Sequence, residues 1–109
     1  MKSASSEKSP NMESNPPKWT FLTNHSHVLI LLAKSPDLTL REIAERIGIT
    51  ERAVHNIVSE LGESGYLERA RVGRRNTYIL SLNKALRHPV ESHKTVGDIV
   101  EIILTGMKL

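Results

Sequence analysis

The stretch from Thr39 to Thr50 leaves its surroundings few ways to fold. Thr39 followed three residues later by Glu42 makes a capping box, in which a hydroxyl and a carboxylate each satisfy an amide at a helix start. Leu40, Ile43, Ala44 and Ile47 then recur at i, i+3, i+4 and i+7, the stripe of a helix with one apolar face. Gly48 ends that helix, because a left-handed backbone costs glycine little. Thr50 caps a second helix, and Glu51 in its first turn suits the positive end of the helix dipole.

On this second helix Ala53, Val54, Ile57, Val58 and Leu61 form the apolar face. That leaves Glu51, Arg52, His55, Asn56, Ser59, Glu60 and Glu63 for solvent or a ligand. Gly62 inside the helix costs about 1 kcal/mol relative to Ala, and Gly65 closes it. Two strands are expected next, Tyr66 to Val72 and Thr77 to Leu82, joined by Gly73-Arg74-Arg75-Asn76. In the second, Tyr78, Leu80 and Leu82 share one face and Thr77, Ile79 and Ser81 the other. The first alternates poorly, with Leu67, Arg69 and Arg71 on one face, and is read as a strand because the second needs a partner.

Upstream, Thr23 or Asn24 caps a helix that runs to about Lys34 and stops before Pro36. Trp19 and Phe21, the only Trp and the only Phe, sit just ahead of it, where an apolar residue can staple the helix start. Val28 to Leu32 are apolar on more than one face, which calls for cover on most sides and suggests a partner chain over part of it. Residues 1–18, rich in Ser, Pro and Lys, bury too little to offset their ordering entropy and read as a disordered tail. Downstream, residues 83–94 read as a linker broken at Pro89, and Thr95 with Asp98 opens a last apolar helix within 95–109. Residues 19–82 are the domain between them.

The chain has 109 residues, enough for one small domain. It has no Cys, which excludes disulfides and Cys-ligated zinc. No apolar segment is long enough for a signal peptide or a membrane span, so a cytoplasmic protein without a membrane partner is expected. No nucleophile elbow, phosphate loop or metalloprotease motif is present, so neither an enzyme nor a cofactor is expected. His25, His27, His88 and His93 are too dispersed to argue for a metal site.

The segment LTLREIAERIGITERAVHNIVSELGESGYLERARVGRRNTYIL resembles the winged helix-turn-helix of prokaryotic transcriptional regulators of the MarR/ArsR type. The Leu-Arg-Glu-Ile-Ala-Glu-Arg-Ile-Gly-Ile-Thr run, the Gly-Tyr-Leu exit into a hairpin and the Arg-rich tip carry the likeness. It implies a mainly α fold with a small β-hairpin wing: a three-helix core, a two- or three-stranded sheet and a C-terminal dimerisation helix. It also implies a homodimer on double-stranded DNA. Thr50, Arg52, His55, Asn56 and Ser59 would then face the major groove, where Arg reads guanine and Asn reads adenine. Arg74 and Arg75 would reach a flanking backbone or minor groove. Leu29 and Leu32 of the first helix, with Ile99, Val100, Ile103 and Leu104 of the last, would pair the subunits.

Between Arg41 and Leu82 there are seven Arg and six Glu, so affinity for DNA must come from where the charges sit. That near-neutrality keeps open a winged-helix protein-interaction module. A ligand- or metal-responsive repressor is the other alternative, although the short last helix suggests no clear sensor pocket and the effector is unknown.

Overall fold

The computed structural model describes residues 17–107, so the tail expected over 1–18 lies outside the described residues apart from its last two. The helix α1 (Asn24–Lys34) is capped by Thr23, whose hydroxyl accepts the amide of Ser26. Leu22, next to the cap, packs on the core, whereas Trp19 and Phe21 stay exposed and meet edge to face at 4.9 Å. Next come α2 (Leu40–Ile47) and α3 (Glu51–Glu63), separated by Gly48 in the left-handed region. Both halves of the Thr39–Glu42 capping box are made.

The core is built on α1, which packs against α2, α3, the hairpin and the last helix. Val28 and Leu32 of α1, Ile43 of α2 and Val54 of α3 have no exposed surface. Each such side chain contributes roughly 1.5–3 kcal/mol through apolar surface withdrawn from water. The cover that α1 requires is therefore largely supplied within one chain.

The hairpin consists of β1 (Leu67–Val72) and β2 (Arg75–Leu80), antiparallel and two-stranded, with Leu67 opposite Leu80 and Val72 opposite Arg75. Its loop is Gly73-Arg74 alone, two residues shorter than expected. Gly73 has φ 64° and Arg74 does not have a positive φ, the pattern of a type II′ turn, which matches the twist of the strands. Arg75 and Asn76 therefore belong to β2. Beside β2, Pro36 supplies one carbonyl that accepts both the amide of Tyr78 and the hydroxyl of Thr77.

The segment after β2 is a closed loop rather than an open spacer. Ala85 and Thr95 form an isolated bridge, and the Leu86 amide donates to Lys94 O. The amides of Val96 and Gly97 donate to Lys84 O and Leu82 O at 3.0 and 2.8 Å. These bonds fasten the start of α4 (Val96–Leu104) to the chain just past β2. The approach needs glycine, since a Cβ at Gly97 would lie 3.0 Å from Leu82 O.

Candidate nucleic-acid interface

The contact set begins with how α3 is held. Val54, Ile57 and Leu61 bury one face of it, so the residues between them must point outward. Arg52, His55, Asn56 and Ser59 follow one another at i, i+3, i+4 and i+7, and all four are exposed. Arg52, His55 and Asn56 share a shallow depression with Glu51 and with Leu40 of α2, while Ser59 lies one turn farther along. Thr50 is spent partly on structure, its hydroxyl oxygen accepting the amide of Ala53 at 3.0 Å. Its hydroxyl proton remains a possible donor.

The wing meets the same surface from the other side. Arg74, Arg75 and Asn76 border a hollow with Thr39 and Leu40 at the start of α2. Leu40 borders both depressions, so the N-terminal turn of α2 joins the outward face of α3 to the wing. The charges there are not all basic. The Thr39 amide donated to Glu42 holds that carboxyl below the usual glutamate range, with Arg46 and Arg75 adding to the effect. Arg75 thus lies in the field of an anion of its own chain without pairing with it, whereas Arg74 occupies the turn itself.

Two features escaped the sequence reading. Asn76 Oδ1 is the one buried side-chain polar atom without a hydrogen-bond partner among the described residues. It sits directly across from Arg71 in the hairpin register. The second is a pairing of His25 Nε2 with Glu60 Oε1 at 2.6 Å, which ties α1 to α3 across 35 residues of sequence. No local pattern announces a contact of that separation. Glu60 is thereby engaged by α1, one turn beyond Asn56.

The six residues expected between subunits are brought together but used unequally. Leu29, Leu32 and Val100 are buried within the protomer, Leu32 completely, because α4 and the hairpin close over α1. Ile99 and Leu104 are half-buried against the same core. Ile103 is 38% exposed and its neighbour Ile102 70%, so the free apolar surface of α4 lies at its C-terminal half. No group of three or more His, Asp or Glu side chains is placed to hold a metal ion among the described residues.

A larger cleft, about 660 Å³, opens between the Pro17–Leu22 segment, α1, the turn after α2 and Ile103. Its lining combines Leu31, Ile47 and Ile49 with Lys18, His27 and Arg46. The short last helix had suggested no such space. The fold supplies it by bringing the segment ahead of α1 and the turn after α2 to the two sides of one face of α1.

No curated protein sequence matches the chain. Among solved structures it is similar to the PcaV transcriptional regulator from Streptomyces coelicolor in complex with its natural ligand. Identity is 26% and the TM-score 0.51, over 80% of this chain and 63% of that one. The chain thus spans about 63% of the length of that regulator. Lactococcus lactis ZitR, solved as a mutant, is 22% identical with a TM-score of 0.50, over 94% of this chain and 74% of its own, which shows the fold. A Mycobacterium tuberculosis MarR family protein in complex with salicylic acid is 20% identical, with a TM-score of 0.48, over 77% and 64%. A family model, described as MarR family, matches residues 20–75, which hold α1, the helix-turn-helix and the first half of the hairpin. This chain belongs to the MarR family.

Proposed function

We propose that the chain is a transcriptional regulator that binds double-stranded DNA sequence-specifically as a homodimer. The observation that carries this reading is the single surface shared by the outward row of α3, the start of α2 and the wing. Arg52 and Asn56 can make bidentate contacts to guanine and adenine in a major groove, each worth roughly 1–3 kcal/mol of discrimination. Arg74 at the turn extends toward a flanking backbone or minor groove. The apolar surface left on Ile102, Ile103, Trp19 and Phe21 would be covered by a second copy. Two recognition helices would then read half-sites about one DNA turn apart.

Selection from random duplexes with the purified protein tests the reading, and a motif of two related half-sites is the expected outcome. Arg52→Ala and Asn56→Ala should relax preference at particular bases. Arg74→Ala and Arg75→Ala should weaken binding to all sequences and flatten its salt dependence. Binding that survives all four changes intact would remove this surface from consideration.

The cleft beneath Trp19 favours a further step, control by a small ligand. PcaV is a regulator with a natural ligand, and here Lys18, His27 and Arg46 would suit an organic anion. A ligand of this kind should change DNA affinity in the parent and lose its effect in Arg46→Ala.

A further inference from the structure

A second cavity, about 260 Å³, lies on the opposite side of α1 from that cleft. It sits where the start of α1, the C-terminal half of α3 and the closed loop of residues 85–95 converge. Its floor is apolar, formed by Leu29, Leu61, Tyr66 and Val96, all at least nine-tenths buried. The Tyr66 hydroxyl adds no free polar group, since it donates to Ala85 O at 2.7 Å. The rim carries charge of both signs: Arg87 and Glu91 from the loop, and Glu60 paired with His25. Among the described residues neither Arg87 nor Glu91 takes part in an ion pair.

An apolar floor under an unpaired guanidinium and an unpaired carboxylate selects a ligand class. A simple carboxylic acid would satisfy Arg87 and leave the acidic side of the rim facing it without a cation. A simple amine would do the reverse. We infer that this cavity binds a small zwitterion with an apolar side chain, an apolar α-amino acid. The carboxylate pairs with Arg87, whose planar fork suits it. The ammonium pairs with Glu91, which shares the rim with Glu60, and the side chain lies on the Leu29–Leu61 floor. Because the cavity touches α1, α3 and the loop that fastens α4, occupancy biases how these elements sit together. The inference rests on the cavity and is independent of the DNA reading.

Calorimetric titration of the full chain tests it, with L-leucine, L-phenylalanine, 4-methylpentanoate and 3-methylbutylamine as probes. The two amino acids are expected to bind once per chain, and each one-charge analogue about tenfold or more weakly. Arg87→Ala and Glu91→Gln, both in an exposed loop, should each weaken L-leucine about tenfold while leaving the circular dichroism spectrum unchanged. Amide shifts induced by L-leucine should centre on Leu29, Leu61, Ser64 and Leu86. Failure of both amino acids to bind overturns the inference. So do analogues that bind equally well, variants that bind like the parent, or shifts confined to the cleft beneath Trp19. Amino-acid binding by a chain with no affinity for duplex DNA would sink the regulator reading and leave this one standing.

Discussion

Leu32→Ala separates the protomer's interior from its interface. The side chain has no exposed surface in a single chain, so the change removes its transfer free energy and leaves a cavity between α1 and its neighbours. Buried Leu→Ala substitutions cost about 2–5 kcal/mol. With no exposure to relax into, we expect about 3 kcal/mol here. Domains of this size are stable by only about 5–15 kcal/mol, so the variant gives up roughly a fifth to three fifths of that margin. For a urea slope of about 1.5 kcal/mol/M, the midpoint falls by about 2 M. The assay is urea unfolding followed by circular dichroism, for parent and variant, at two protein concentrations a hundredfold apart. Dimerisation would shift both proteins with concentration by mass action, but the difference between them should stay the same. A cost below about 1 kcal/mol, or one that vanishes at high concentration, would refute the assignment of Leu32 to the interior. Ile102→Ser, at a position 70% exposed, is the mirror image: near-neutral for the protomer, within about 0.5 kcal/mol, and damaging to any dimer seen by sedimentation.

Gly62→Ala should stabilise the protein by about 0.5–1 kcal/mol in the same urea assay, because the added methyl meets only Leu67 at 3.9 Å and helix propensity favours Ala. Gly97→Ala should instead cost about 1–3 kcal/mol, since its methyl meets the Leu82 carbonyl at 3.0 Å and backbone must move. Glu42 and Asp98 are both held below the usual carboxylate range, first by the backbone amides of Thr39 and Thr95. A depressed folded-state pKa contributes stability that is complete above the unfolded value and is lost as pH falls through the folded one. Thermal midpoints should therefore drop on acidification below the normal carboxylate range, and Glu42→Gln with Asp98→Asn should flatten that drop. Replacing Arg74 by Ala should lower the slope of log affinity against log salt by about 0.9 if it covers one duplex phosphate.

The helix starts were legible because their determinants are local. Thr23, Thr39, Thr50 and Thr95 all cap as their positions suggested, each bonding an amide three residues on. The outward row of α3 followed from period alone. The wing was less legible. Four polar or flexible residues in a row suggested a four-residue loop, but a positive φ at Gly73 closes the turn in two and draws Arg75 and Asn76 into the strand. Alternation also misjudged Leu82, which is 45% exposed because β2 ends at Leu80 and the chain turns away. The all-round apolar character of α1 is legible in the run Val28–Leu32, but what covers it is not: pattern cannot say whether a second copy or the same chain supplies it. The pairing of His25 with Glu60 depends on how two helices cross, which no sequence window contains.

The bonds that fasten α4 to the chain just past β2 also bear on the order in which the molecule assembles. A helix ordinarily begins with amides that have no partner in its own backbone. In α4 those of Val96 and Gly97 go to Lys84 and Leu82, and that of Asp98 goes to the Thr95 hydroxyl. An isolated helix of nine residues is marginal in water because its first turn costs more than it returns. Here the carbonyls of Leu82 and Lys84, just past the hairpin, accept the amides that open that turn. A peptide of residues 94–107 is accordingly expected to be a coil on its own, and α4 to form only where α1 and the chain around Leu82 and Lys84 are in place. The chain just past the wing, together with α1, thus serves as the template on which the last helix nucleates.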